Sequence, residues 1–273
     1  MEIFDRSPSQ YTGENNVPNF LSTDFPILSK RKNSNFKHLA RRIYSPAHFG
    51  LHKLMSEKLE EILLNDLRVL VIGGGEQGKG TKGYLKSENI IISDVYYSDL
   101  VNVICSVEDL PFKEGTFDLV VCQAVLEHVP YPNLAASEIV RVTKNNGHVL
   151  SEIPFLQSVH EGRFDYTRYT LEGHIGIFEG AEPLHAWVTG GILTRLCWTL
   201  EDIFKVLFGE KSKWILRLSL FWLKWLEKLI SERKQILYAS SLAVFFIKNS
   251  TYIKSESLFK SRYETLLSNR KFK

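Results

Sequence analysis

The stretch RVLVIGGGEQGKG, Arg68 to Gly80, decides the fold class of this chain. Its apolar run, Val69–Ile72, has the length of a buried strand and is followed at once by three glycines. The glycines at positions 73, 75 and 78 have the spacing of a loop that lets an adenosine cofactor approach the backbone. Asp94 follows at about the distance at which such a loop is joined by an acidic residue for the ribose. The stretch therefore predicts a strand, loop and helix unit that binds an adenosine cofactor.

Short apolar runs alternate with polar or helical pieces over the next hundred residues. This alternation is typical of parallel strands joined by crossover helices that cover both faces of a sheet. We predict a Rossmann-like, doubly wound α/β fold with a mostly parallel seven-stranded sheet and a helical insertion before the last strand. Ligands of such a sheet bind beyond the carboxyl ends of its strands. The predicted strands are Val69–Ile72, Ile90–Ser93, Val101–Cys105, Phe117–Cys122, His148–Ile153 and, within Tyr238–Asn249, the last one.

Changes in composition divide the chain into four segments. Residues 1–44 form a basic N-terminal arm, with no regular pattern in its first part, and residues 45–189 form the core, beginning with a helix. Residues 190–237 form a Trp-rich helical lid or insertion. Residues 238–273 hold the last strand and a charged tail, in one domain with the core. The basic residues of the arm, which indicate either a solvated surface or contact with an anionic substrate or lipid, are Lys30, Arg31, Lys32, Lys37, Arg41 and Arg42.

Bulk composition excludes several classes of protein. The 273 residues are 44% apolar, which is typical of a globular chain with a sizeable core. The net charge of +3 is too small to indicate nucleic-acid binding. Three cysteines without a Cys-x-x-Cys pair indicate a reducing compartment, and we predict no metal site. The start MEIFDRSPSQ lacks the apolar region of a secretory signal, and no 18-residue window is free of charge, so we expect a cytoplasmic protein without a membrane span.

The loop residues by themselves leave two cofactors open. Glu76 lies beside the glycines, where its carboxylate would repel the pyrophosphate of a nicotinamide dinucleotide but would be tolerated near a sulfonium cation. Asp94, at the end of the second strand, can accept hydrogen bonds from the ribose of either cofactor. The choice between the two cofactors therefore depends on the sequence downstream.

That downstream sequence, SVEDLPFKEGTFDLVVCQAVLEHVPYP at residues 106–132, resembles the class I S-adenosylmethionine-dependent methyltransferases. The order LPF, FDLVV, LEHV is similar to that of the branch with quinone, sterol and small-molecule methyltransferases. The stretch PFLQSVHEGRFDYTRYT, residues 154–170, resembles a subgroup with Pro-Phe, His, Asp-Tyr and Arg-Tyr-Thr after the fifth strand. The resemblance covers roughly residues 50–180.

The resemblance implies S-adenosyl-L-methionine as the cofactor. It implies that the glycines let the backbone approach the methionine part and the ribose, and that Asp94 holds the ribose. Ser106 stands where many relatives have Asp, so its hydrogen bond to the adenine should be weaker than that of a carboxylate. The cofactor-binding residues that it implies are Gly73, Gly74, Gly75, Asp94, Ser106, Val107 and Gln123.

Methyl transfer requires alignment of the acceptor, and a base where the acceptor carries a proton. His160 follows the fifth strand and is our candidate for that base or for a substrate contact. Asp165, Arg168 and Tyr169 are candidates for substrate binding, and the alternative is that they form a buried network that holds the loop. His128 is interpreted as structural.

The Trp-rich stretch SKWILRLSLFWLKWLEKLIS, residues 212–231, has its aromatic residues on one helical face and its cations on the other. A stripe packed on the core as a lid is the commonest explanation of such spacing. Contact with a membrane surface through residues 212–230, or a homodimer surface, are the alternatives.

We therefore predict a methyltransferase (EC 2.1.1 type) that acts on a small-molecule, sugar or lipid-linked acceptor. The alternative is a non-catalytic protein that retains the fold and the cofactor pocket, favoured by Ser106. A nicotinamide oxidoreductase is disfavoured because no Tyr-x-x-x-Lys donor is found after the fourth strand. A nucleic-acid substrate is disfavoured because no Asn/Asp-Pro-Pro-Tyr motif follows that strand.

Overall fold

One twisted sheet of nine strands organises the part of the chain that the structure describes. The structure is a computed structural model, and it describes residues 3–12, 16–22, 67–75, 89–160, 162–209, 219–220, 222–227 and 229–249. The strands are β1 (Gln10–Thr12), β2 (Val17–Asn19), β3 (Val69–Ile72), β4 (Ile90–Asp94), β5 (Val103–Ile104), β6 (Phe117–Gln123), β7 (Thr143–Pro154), β8 (Ala181–Gly190) and β9 (Ser241–Lys248).

The strand order is β1-β2-β5-β4-β3-β6-β7-β9-β8. β3 lies between β4 and β6 and is parallel to both, so the chain reverses its direction of progress across the sheet at β3. β5 and β7 continue the parallel arrangement on either side, and β9 is antiparallel to both of its neighbours. The predicted mostly parallel α/β fold is confirmed. The seven strands from β5 to β8 in this order match the predicted number, and β1 and β2 add two more at the β5 side.

Five helices are described: α1 (Pro132–Val142), α2 (Leu171–Ile177), α3 (Ile192–Phe208), α4 (Leu223–Glu227) and α5 (Glu232–Gln235). α1 starts with a proline at its first turn, where no intrahelical N–H is needed. The Thr170 hydroxyl accepts the Gly173 N–H at 3.2 Å and so caps α2. Because α3, α4 and α5 follow β8 and precede β9, the predicted helical insertion before the last strand is confirmed.

The core lies on both faces of the sheet. Along β3, Leu70 and Ile72 belong to one hydrophobic cluster and Val69 and Val71 to the other. Each of these side chains is 5% exposed or less, which explains why the strand is a continuous apolar run without alternation. The buried side of α1 packs in the first cluster through alanine and aliphatic side chains, so this helix covers one face of the parallel strands.

The expectation that the first residues of the arm are irregular is wrong for β1 and β2. β2 pairs in parallel with β5 through Asn19 and Ile104 and so extends the sheet at that edge. The ring of Phe4 packs 5.0 Å from Phe20 and 5.5 Å from Phe112, measured between centroids. Strands of three residues have too short a pattern to be recognised, and pairing with a distant strand stabilises them. The basic cluster and the helix predicted to start near residue 45 lie outside the described residues.

β8 was not among the predicted strands, and the stretch KNNG at residues 144–147, which lies between two of the predicted strands, is part of β7. β8 carries Pro183, which lies at a shift of register against β9, a position where a strand tolerates a residue without an N–H. The stretch at residues 144–147 bulges where β7 leaves its register with β6, and Asn146 has a φ of 62° there. In both places an irregularity in the strand conceals the alternating pattern.

Only part of the Trp-rich stretch belongs to the described residues, as α4 and its neighbours. Glu227, at the end of α4, accepts the Leu193 N–H at 2.7 Å and the Thr194 N–H at 2.9 Å. This contact joins α4 to the first turn of α3. Across the ranges that the structure describes, no helix has both the length and the apolar character needed to cross a membrane. The lid, membrane-surface and dimer interpretations of residues 212–230 remain predictions.

Candidate functional site

The residues expected to bind the cofactor lie at one edge of the sheet. Gly73 follows β3, Asp94 ends β4, Ser106 follows β5 and Gln123 ends β6. These four strands are neighbours and parallel, so their carboxyl ends meet. This edge also holds the switch point at β3, where ligands of open α/β sheets bind.

The glycine loop turns sharply against β4. Gly73 has a φ of 70°, a conformation that favours glycine, and its N–H donates to the Ser93 carbonyl at 2.9 Å. A Cβ added at Gly75 would lie 2.6 Å from Asp94 Oδ2, which is shorter than a normal van der Waals contact. A residue with a side chain there would force the carboxylate to move. The lack of side chains therefore brings the loop backbone into direct contact with the Asp94 carboxylate.

The Asp94 carboxylate is held by the backbone on both of its oxygens. Oδ2 accepts the Gly75 N–H at 2.9 Å, and Oδ1 accepts the Tyr96 N–H at 3.1 Å. A carboxylate oxygen can accept more than one hydrogen bond, so an oxygen that already accepts a backbone N–H can also accept a ribose hydroxyl. These observations fit an adenosine cofactor at this edge.

Ser106 and Val107 differ in how they can serve an adenine. The Ser106 hydroxyl accepts the Glu108 N–H at 3.2 Å and lies 3.5 Å from the Glu108 carboxylate. The other oxygen of Glu108 accepts the Tyr131 N–H at 2.8 Å. Val107 is 4% exposed, and its side chain packs in the hydrophobic core beneath the carboxyl ends of the strands.

Gln123 forms a side-chain pair that the sequence analysis missed. Its amide nitrogen donates to the Glu152 carboxylate at 2.9 Å, and Gln123 and Glu152 are partners in the register of β6 and β7. The signal that could have found Glu152 is a carboxylate near the carboxyl end of β7, the strand that pairs with β6. Ala124 follows with a φ of 51°, which marks a tight turn out of β6.

Glu127 was not singled out from the sequence, yet its carboxylate lies at the centre of the polar residues beyond β6. Its side chain is 1% exposed, and neither oxygen has a hydrogen-bond partner within the described residues. Oε1 lies 3.7 Å from His128 Nε2 and 3.8 Å from His160 Nε2. Burial raises the pKa of Glu127 to about 8, because the charged form loses its hydration there.

The two histidine rings meet edge to face, with centroids 4.9 Å apart. His128 Nδ1 lies 2.7 Å from the Phe164 carbonyl, to which it must donate, since a carbonyl only accepts. His128 therefore ties the turn after β6 to the loop after β7. His160 Nδ1 lies 3.4 Å from Asp165 Oδ2, and burial lowers the pKa of His160, which favours the neutral ring.

Asp165 and Arg168 form the network that was the alternative to substrate binding. The guanidinium of Arg168 donates to both oxygens of Asp165, with 2.6 Å between Nη2 and Oδ2. Asp165 also accepts the His160 N–H at 2.7 Å, and its side chain is 1% exposed. Arg168 holds the pKa of Asp165 down at about 2. The carboxylate thus joins Arg168 to the backbone of His160, whereas Tyr169 packs apart from them against the core.

Comparison with known proteins supports the family resemblance. Residues 86–151 match the family model described as a methyltransferase domain. This range contains Asp94, Ser106, Gln123 and the Glu127–His128 pair. A stretch of 41 residues is 56% identical to an uncharacterized protein of Methanocaldococcus jannaschii. That stretch covers 15% of this chain and 18% of the length of that protein.

Two solved structures are among those similar to this chain. One is described as an S-adenosylmethionine-dependent methyltransferase, a possible histamine N-methyltransferase, from Thermotoga maritima, with 13% identity, a TM-score of 0.46 and coverage of 78% of this chain and 96% of that one. The other is the 1,6-didemethyltoxoflavin-N1-methyltransferase of Burkholderia thailandensis, with 12% identity, a TM-score of 0.45 and coverage of 84% and 98%.

Proposed function

We propose that this chain, whose residues 86–151 match the model of a methyltransferase domain, transfers a methyl group from S-adenosyl-L-methionine to a small-molecule, sugar or lipid-linked acceptor. The observation that carries the proposal is the contact between the glycine loop and Asp94. Gly75 donates its N–H to Asp94, and a side chain at Gly75 would be excluded by the same carboxylate. This arrangement suits a ribose bound beside bare backbone.

The donor supplies a methyl group that is already activated by the sulfonium, so the protein mainly has to bind and align. Two backbone N–H groups donate to Asp94 and hold its carboxylate in place at the end of β4. Ser106 offers a hydroxyl for the adenine, and Gln123 lies where the next strand ends. Alignment of this kind can lower a barrier by about 7–11 kcal/mol in favourable cases.

The acceptor would approach from the loop after β7, which carries His160. A hydroxyl acceptor needs a base, whereas an amine or an activated carbon does not. His160 remains the predicted base or substrate contact, and the lowered pKa keeps its ring neutral and able to accept a proton near pH 7. The bidentate ion pair between Asp165 and Arg168 supports the interpretation that these two residues hold this loop in place.

The first test is calorimetric binding of S-adenosylmethionine, S-adenosylhomocysteine and NADH to the purified chain and to the Asp94→Ala variant. Loss of charge-assisted hydrogen bonds to the ribose should weaken binding of both adenosyl compounds by about 10- to 100-fold. Binding of NADH alone would overturn the proposal.

Asp118→Ala is the matched control for this experiment. Asp118 also accepts a backbone N–H, from Arg68 at 2.9 Å, but it lies near the amino end of β6, at the opposite edge of the sheet. The control should lose some stability and keep the affinity of the original chain. Equal weakening in both variants would show that folding, and not contact with the ribose, explains the loss.

The alternative of a non-catalytic protein depends on Ser106. Its hydroxyl already accepts the Glu108 N–H, which reduces what it can offer to an adenine. Incubation with S-adenosylmethionine and mixed small-molecule and lipid acceptors separates the two functions. Binding of S-adenosylmethionine without formation of S-adenosylhomocysteine in the presence of any acceptor would favour the non-catalytic protein.

A further inference from the structure

The buried carboxylate of Glu127 lacks the partner that such a group requires. Its two oxygens find no hydrogen bond within the described residues, although the side chain is 1% exposed. Within the same residues, the side chains that lie at ion-pair distance from it are the rings of His128 and His160. The nearby guanidinium of Arg168 is engaged by Asp165. A buried carboxylate of this kind is normally matched by a proton, a cation or a metal ion.

The imidazole of His128 is oriented as a metal-binding histidine is, and the imidazole of His160 has a carboxylate beside its second nitrogen. His128 Nδ1 donates to the Phe164 carbonyl at 2.7 Å, which leaves the lone pair on Nε2. His160 Nδ1 lies 3.4 Å from Asp165 Oδ2 and also 3.4 Å from Arg168 Nη2. A guanidinium only donates, so metal binding at Nε2 requires His160 Nδ1 to carry its proton toward the Asp165 carboxylate instead of accepting from Arg168. Histidine ligands commonly donate their second ring nitrogen to a carbonyl or carboxylate, which sets the ring orientation. Both kinds of partner occur here.

The spacing of the three donor atoms is close to what one ion requires. Glu127 Oε1 lies 3.7 Å from His128 Nε2 and 3.8 Å from His160 Nε2. One ligand atom from each of the three residues fits within a mutual separation of 4.8 Å. Two ligands of a tetrahedral zinc ion, each about 2.0–2.1 Å from it, lie roughly 3.3–3.4 Å apart. The two separations from Glu127 Oε1 exceed that range by only about 0.3–0.5 Å.

We propose that Glu127 Oε1, His128 Nε2 and His160 Nε2 bind a divalent first-row transition-metal ion such as Zn²⁺. Two imidazoles and one carboxylate suit zinc, iron or cobalt better than magnesium or calcium, which prefer oxygen ligands. Three protein ligands leave at least one position for water or for an oxygen of the acceptor. The inference departs from the expectation of no metal site.

Metal binding would change the role of His160. A lone pair that binds a metal ion cannot also accept a proton from the acceptor, so His160 would be a ligand and not a base. A metal-bound hydroxyl loses its proton more readily, which serves the same purpose. Binding of the ion itself does not depend on the proposed methyl transfer, so the two proposals can fail separately.

The test is binding of Zn²⁺ and Co²⁺, by calorimetry and by visible absorption of cobalt, to the 273-residue chain without an affinity tag. We expect one equivalent to bind to the original chain. Glu127→Gln and His160→Gln should each lower the affinity by more than 100-fold. His185→Gln, a histidine substitution on β8, is the matched control and should bind as the original chain does.

Melting temperature and far-UV circular dichroism of each variant, recorded without metal, separate lost ligands from lost folding. Glu127→Gln removes a buried ionisable group and keeps the shape of the side chain, so it should fold about as well as the original chain. Absence of Zn²⁺ and Co²⁺ binding to the original chain would overturn the proposal. Undiminished binding in the Glu127→Gln and His160→Gln variants, or binding of Mg²⁺ and Ca²⁺ in preference to Zn²⁺, would do the same.

Discussion

At the scale of the residue, burial decides which polar groups hold the loop after β7. Asp165 and Arg168 are three positions apart, as are Asp202 and Lys205, and each pair forms an ion pair. The Asp165 side chain is 1% exposed, whereas that of Asp202 is 38% exposed. An exposed pair is screened by water, and a buried one is not. The two pairs therefore allow a comparison of an ion pair with a buried carboxylate and one with a more exposed carboxylate.

Arg168→Lys should destabilise the chain by about 1–3 kcal/mol, because a lysine cannot replace both hydrogen bonds to the buried Asp165. Lys205→Ala should change the free energy of unfolding by less than about 1 kcal/mol, since its pair is exposed. Urea denaturation of both variants measures the difference. If Arg168→Lys leaves stability intact and weakens only turnover, Arg168 binds substrate and the network interpretation is wrong.

At the scale of the element, one side chain joins two helices of the insertion, α3 and α4. Glu227 of α4 accepts the N–H groups of Leu193 and Thr194 in the first turn of α3, and its second oxygen accepts the Thr194 hydroxyl at 2.5 Å. Gln235 of α5 adds a contact by accepting the Ile192 N–H at 3.1 Å. Free N–H groups and the positive end of the helix dipole make this end of α3 a favourable place for a carboxylate. The insertion is thus held from a distant segment of the chain.

Glu227→Ala should destabilise the chain by roughly 2 kcal/mol, because it leaves the N–H groups of Leu193 and Thr194 without their acceptor. Glu227→Gln keeps an oxygen acceptor and should cost less. The free energy of unfolding in urea, measured for both variants, tests the order of the two effects. Equal stability of the original chain and Glu227→Ala would show that water replaces the carboxylate at no cost.

At the scale of the whole molecule, stability should depend on pH through a buried histidine. His174 on α2 is 0% exposed, and its Nε2 lies 2.8 Å from the Ser151 hydroxyl on β7. Its ring packs against Phe178 and Phe246. Burial lowers the pKa of His174 to about 3, since the charged ring loses its hydration. The fold therefore contains a neutral imidazole that the unfolded chain would protonate near pH 6.

Between about pH 6.5 and pH 3, the unfolded chain binds a proton at His174 that the folded chain does not. The contribution of His174 to the free energy of unfolding is therefore largest above about pH 6.5. It falls as the pH is lowered, by at most about 1.4 kcal/mol per pH unit. His174→Gln should be less stable at pH 7 and should lose less on acidification. Urea denaturation at pH 7, 6 and 5 measures both slopes, and parallel slopes would contradict the assignment.

Much of the fold follows from local pattern, and less of the site does. The strands β3, β4 and β6 could be predicted because each contains an uninterrupted apolar run, VLVI, III or LVVC, that is recognisable without knowledge of its partners. β8 could not, because Pro183 and the shifts of register interrupt its pattern. Asp94 was found through its spacing from the glycines. Glu152 and Glu227 were missed because their partners are distant in the chain.

The sequence by itself determined the α/β fold class, the glycine loop, the acidic strand end at Asp94 and the resemblance to methyltransferases. These features depend on neighbouring residues, whose spacing is written in the chain. The tertiary structure decided that the arm extends the sheet and that Glu127 meets His128 and His160 in a buried cluster. Sequence spacing does not report burial, because the same Glu-His pair could lie in water. Burial removes the solvent that would otherwise satisfy a carboxylate, and it therefore makes this cluster a candidate for binding a metal ion.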